Sequence, residues 1–151
     1  MIHVREATFL ILLVVLCSGC WSGSESAEAR AKALNQGELK SVVPVSGTVL
    51  VDGEPGNNVI LYLHRDNGGN SIKTAFTDED GNYCWTTYVS CDGLERGDYR
   101  ISFKRFKNAR KEKGDDLLKG RYSNPMTSKF ALKVNDDELE MNDVNYELKT
   151  K

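Results

Sequence analysis

Past residue 20 this 151-residue chain holds two cysteines, Cys84 and Cys91, seven positions apart. That spacing admits a disulfide, two unpaired thiols, or a metal or redox role. An exported compartment permits the disulfide, and closing so small a loop would stabilise a fold by roughly 2 to 3 kcal/mol. Zinc needs more ligands than are offered: His64 is the only histidine beyond the first few residues, and no C-x-x-C follows residue 20. Hydrolysis lacks parts too. There is no G-x-S-x-G elbow, and a lone His64 beside Arg65 reads as a surface residue rather than a general base. Asp78-x-Asp80-Gly81-Asn82 is spaced like the start of a calcium loop, but its twelfth position is Val89, where a bidentate Glu is required. A tight turn with Gly81 at positive φ accounts for the same residues. No catalytic residue, metal or cofactor is therefore expected.

The best binding candidate is a basic run. Between Lys104 and Lys113 stand six cations and one acid. Lys104, Arg105, Phe106, Lys107, Arg110, Lys111 and Lys113, with Tyr122 at the end of the following loop, could hold an anionic polymer or glycan by charge and aromatic contact. Against this, Asp115 and Asp116 and the Asp136-Asp137-Glu138 turn could neutralise the run in place. A net charge of −2 and a pI near 5.7 argue against nucleic acid as a partner.

The elements that must carry these residues read as strands. Apolar residues recur at period two in short runs separated by Gly, Asn, Asp and Pro, the pattern of an all-β domain. The expected strands are Val45 to Val51, Asn58 to His64, Ser71 to Thr77, Asn82 to Tyr88, Asp98 to Phe106, Thr127 to Val134 and Asp143 to Lys149. Val45 to Leu63 reads as a first hairpin about an Asp52 to Asn57 turn. Tyr83, Trp85, Tyr99, Ile101, Phe103, Phe130, Leu132, Val134, Val144, Tyr146 and Leu148 are expected inside.

Ahead of this body lies an address. One cation, Arg5, precedes the apolar run from Phe9 to Leu16, which ends in Cys17-Ser18-Gly19-Cys20. That is a signal-peptide layout, too short to span a bilayer of ~30 Å. Ser18-Gly19-Cys20 resembles the lipobox of bacterial lipoproteins, with Cys17 standing where Leu is usual. The resemblance implies cleavage after residue 19 and acylation of Cys20, whose chains would hold the protein at a membrane. Residues 20–42 then form a polar tether with a short helix-prone stretch from Ala27 to Leu34, able to reach ~75 Å when extended.

Four motifs occur in order: Val45-x-Gly47-x-Val49-x-x-Asp52-Gly53-x-Pro55, then Thr77-Asp78-Glu79-x-Gly81-x-Tyr83, then Asp92-Gly93 followed by Gly97-x-Tyr99-x-Ile101-x-Phe103, and Arg121-Tyr122-x-Asn124-Pro125-x-Thr127-Ser128-x-Phe130. Together they resemble the lipidated transthyretin-like proteins common in planctomycete bacteria, whose domain is a carboxypeptidase regulatory-like, or prealbumin-like, β-sandwich. The match runs from about Val43 to Lys149 and departs from the pattern at Cys84-Trp85 and Cys91. It implies a seven-stranded immunoglobulin/prealbumin-like sandwich over residues 43–151, in a non-enzymatic envelope protein facing the periplasm. Its partner would be an envelope protein or a glycan. A transthyretin-like hydrolase would need several histidines and a basic pair that this chain lacks.

Overall fold

The computed structural model describes residues 26–34, 37 and 39–151. The expected signal peptide, Cys20 and the start of the tether lie outside the described residues. Helix α1, Ala27–Leu34, begins where the Ser26 hydroxyl accepts the Ala29 N–H at 3.2 Å. Among the described residues no helix is long and apolar enough to cross a membrane.

The body is mostly β. Its strands are β1 (Val42–Val43), β2 (Ser46–Val51), β3 (Glu54–Pro55), β4 (Val59–Arg65), β5 (Gly68–Phe76), β6 (Asn82–Cys84), β7 (Leu94–Glu95), β8 (Gly97–Arg105), β9 (Ala131–Val134) and β10 (Tyr146–Leu148). One sheet has the order β5-β4-β8-β9, all antiparallel. In the other, β2 pairs in parallel with β10 on one side and antiparallel with β6 and β3 on the other. A small ribbon joins β1 to β7.

The expected first hairpin does not form: β2 and β4 lie in different sheets. Asp52 (φ 56°) and Gly53 (φ 90°) both take left-handed geometry, so the chain reverses in two residues and Pro55 and Glu54 pair with Leu50 and Val51. Pro55 has no N–H to continue the ladder, and after it the chain crosses to the second sheet. Three other strands are shorter than expected. Asn82 to Tyr88 stops at Cys84, Asp143 to Lys149 narrows to β10, and Thr127 to Val134 begins at Ala131. In the last case Pro125–Thr127 forms a 3₁₀ turn, capped by the Asn124 side chain accepting from Met126 N–H. The Phe130 carbonyl still accepts the Ile101 N–H at 2.9 Å.

Side chains from both sheets meet in one cluster. Val45, Val49, Val51, Tyr83, Trp85, Tyr146 and Leu148 from the β2 side join Leu61, Leu63, Tyr99, Ile101, Phe103, Leu132 and Val134. Phe103 is the joint: its ring lies 5.0 Å from Phe130 and 5.2 Å from Tyr146, both near edge-to-face. Close packing also explains Gly47. A Cβ there would fall on the Val144 carbonyl, which accepts the Tyr83 hydroxyl at 2.7 Å.

Burial raises Tyr146 to about 12, and burial next to Tyr146 pushes Tyr83 well above the usual phenol range. The folded state thus keeps both phenols protonated, while unfolded ones release protons from about pH 10 upward. Stability is then fully present below pH 10 and falls as pH rises from 10 towards 12, by up to ~1.4 kcal/mol per pH unit for each tyrosine. In an alkaline titration, ionisation of these two tyrosines and loss of near-UV dichroism should coincide; tyrosinate signal from every tyrosine before unfolding would contradict this.

Candidate functional site

The basic run begins at the end of β8 and folds back over the outer face of its sheet. Phe106 and Ala109 pack on Ile60 there, with Tyr62 beside them. Phe106, expected as a ligand contact, is 7% exposed and instead anchors the loop. Tyr122 does not join the cations either. Its ring packs 6.4 Å from Phe103 and 5.9 Å from Phe130, and its hydroxyl accepts the Lys149 N–H at 2.9 Å.

Of the loop's acids, Asp116 is turned to structural work, whereas Asp115 is exposed and lines the same hollow as Lys107 and Lys113. Asp116, which sequence reasoning took for a neutralising charge, accepts the N–H groups of Arg105 (2.9 Å), Leu118 (3.0 Å) and Gly120 (2.9 Å). The signal was present in Asp116-x-x-x-Gly120, since an Asp before a glycine turn tends to bond its own backbone. Burial, together with the nearby Glu112 carboxylate, pushes Tyr62 up to about 12. Nor can the Asp136 turn reach the run. Gly97 pairs with Val134, so that turn follows the opposite end of β8, where Asp136 stands 3.7 Å from Arg96.

The cations are held by uncharged groups or stand exposed, with Asp115 beside Lys107 and Lys113. Lys104 lies over the Tyr62 ring at 5.8 Å, and Arg105 donates to the Asn57 carbonyl at 3.0 Å. Lys107, Arg110, Lys111 and Lys113 are exposed, and among the described residues none of the six forms an ion pair. Lys107, Lys113, Gly114, Asp115 and Leu117 line a hollow of about 240 Å³.

His64 corrects the expectation of a surface residue: it is 6% exposed. Nδ1 lies 2.9 Å from the Gly69 carbonyl, which can only accept, so Nδ1 carries the proton in the neutral ring. Nε2 then accepts from the Ser102 hydroxyl at 2.8 Å. The order is that of a nucleophile and base, but Ser102 is 2% exposed and no substrate atom could reach it. The two groups satisfy each other's buried polar atoms. At the other motif, the Asp78 carboxylate accepts the Asp80 and Asn82 N–H groups at 3.0 and 2.8 Å, and Gly81 has φ 78°. Those bonds make a turn. Among the described residues no group of three or more His, Cys, Asp or Glu is placed to hold a metal.

Cys84 and Cys91 have their sulfurs at disulfide-bonding distance and their Cα atoms 5.3 Å apart. The segment between them curls because the Asp92 carboxylate accepts from Thr87, Tyr88 and Val89 at 2.6, 2.8 and 3.1 Å. The end of the expected tether is clamped beside it. Lys40 N–H donates to the Tyr88 hydroxyl at 3.1 Å, Lys40 Nζ meets Glu95 at 3.3 Å, and Arg96 donates to Ser41 at 2.9 Å. With the bridge formed, Cys84→Ser/Cys91→Ser should lower stability by roughly 2 to 3 kcal/mol, read as a lower denaturant midpoint. Two reactive thiols beyond Cys20 in non-reduced, denatured protein would contradict the bridge.

No protein-family model matches the chain, and no curated protein matches it. Among solved structures, one that is similar is (S)-allantoin synthase, at 14% identity and a TM-score of 0.33, covering 82% of this chain and 47% of that one. This chain thus spans less than half the length of that structure.

Proposed function

We propose that this chain is a lipid-anchored, non-enzymatic protein of the cell envelope whose two sheets form a prealbumin-like β-sandwich, borne on a tether and acting as a protein-interaction module in the periplasm. What carries the interaction reading is the basic loop: among the described residues four exposed cations form no ion pair, while Asp116 accepts backbone N–H groups instead. Anchoring is supported by the apolar run ending in Ser18-Gly19-Cys20. Two acyl chains or more give stable membrane binding where one does not. The test is fractionation of the full chain: intact protein pellets with membranes after a high-salt wash, and Cys20→Ser is released. A Cys20→Ser variant that still pellets overturns the anchor.

A second reading, binding of an anionic glycan by the same loop, is favoured by the hollow between Lys107 and Lys113. Arg110→Glu/Lys111→Glu should then abolish retention on an anionic polysaccharide matrix, and the intact chain should elute at rising salt. Failure of the intact chain to be retained at low salt ends that reading.

A further inference from the structure

The body carries opposite charges at its two ends. Eight residue steps of β8 separate Gly97 from Arg105, roughly 26 Å at ~3.3 Å per step. At the Arg105 end are Lys107, Arg110, Lys111 and Lys113; at the Gly97 end, just past β9, the chain reads Asp136-Asp137-Glu138-Leu139-Glu140. Asp136, Asp137 and Glu140 are exposed there, and Leu139 is 88% exposed. The basic end has the matching shape. Its hollow is flanked by Lys107 and Lys113 and includes Leu117, 40% exposed, with the single carboxylate of Asp115 beside the two lysines. At ~30 Å³ per water, 240 Å³ exceeds what a single aliphatic side chain needs.

We propose that the basic hollow receives the acidic turn of a second copy of this chain, Leu139 entering beside Leu117 while its neighbouring carboxylates meet Lys107 and Lys113. This rests on the protein-interaction reading and names its partner. Each element answers a feature of the described residues: cations that form no ion pair among them, a large apolar side chain in water, and a half-exposed leucine in a hollow. Because donor and acceptor patches lie at opposite ends of one strand, the contact is heterologous, and copies add head to tail into open rows rather than closing a symmetric pair. Such a contact is small and weak in solution, but chains confined to one membrane surface meet at high effective concentration.

The experiment uses the full chain in intact cells, with a photo-crosslinking amino acid in place of Leu139. The expected result is a ladder of multiples of the chain, with the crosslink mapped to residues 107–117 of the next copy. Lys107→Glu/Lys113→Glu should weaken the ladder by about tenfold or more, as should Asp136→Lys/Asp137→Lys, because like charges then face each other. All four changes in one chain restore opposite signs, so the ladder should return. These positions are exposed, so each variant should keep the parent melting temperature, which separates loss of contact from loss of fold. No self-crosslink, or a fourfold variant that stays monomeric, overturns the proposal. A crosslink from Leu139 to a different envelope protein overturns self-association while leaving the interaction reading standing; no crosslink to any protein, from Leu139 or from a second variant with the crosslinker in place of Arg110, removes both.

Discussion

Phe103→Ala should destabilise the domain by about 3 to 5 kcal/mol, a large part of the 5 to 15 kcal/mol typical of such domains. Phe103 is fully buried in the second half of β8, paired with Leu61. Its ring is the shared neighbour of Tyr122, Phe130 and Tyr146. Truncation removes the transfer energy of the ring and leaves a void between residues of two sheets, which packed strands cannot close by small shifts. The melting temperature should fall by roughly 10 to 20 °C. Lys107→Ala, at an exposed position, should shift it by no more than a few degrees. Equal effects of the two substitutions would contradict the assignment of Phe103 to the core.

Gly93→Ala should cost about 3 kcal/mol or more, through two independent terms. Gly93 has φ 105°, a conformation that alanine adopts only with strain, and a Cβ there would fall on the Val43 carbonyl and close to Pro44. The clash is with backbone, so no rotamer relieves it. Gly93 N–H also donates to the Trp85 carbonyl at 3.0 Å, tying the Cys84 to Cys91 segment to β7. The variant should release β1 from β7 first, which hydrogen exchange would report as lost protection at Val43 before the β4 and β8 amides. Unchanged protection at Val43 would contradict the close approach of these segments.

Period-two alternation marks β2 and the middle of β8, where alternate residues are buried, whereas β4 buries Ile60 and His64 on its second face as well and shows as a nearly continuous apolar run. Pairing was a different matter. Asp52-Gly53 was rightly seen as turn chemistry, but a turn says that the chain reverses and not how many residues follow in the returning strand. Here β3 has two, and β4 belongs to the other sheet. The parallel pairing of Tyr146 with Val49 joins residues nearly a hundred positions apart, and no local signal encodes it. His64 was misread because Arg65 beside it suggested water, whereas its Ser102 partner lies 38 residues away on a neighbouring strand. The basic loop was visible as charge. That Asp116 is withdrawn from that charge depends on which backbone N–H groups it reaches, and only the fold shows it.

The most direct test of membrane anchoring is the intact mass of the mature chain purified from the membranes of cells that make it. The account predicts a protein beginning at Cys20, heavier than its residues by a diacylglyceryl group and an amide-linked acyl chain, with two hydrogens fewer for the Cys84 to Cys91 bridge. A mature chain without lipid, or one retaining residues 1–19, would contradict it.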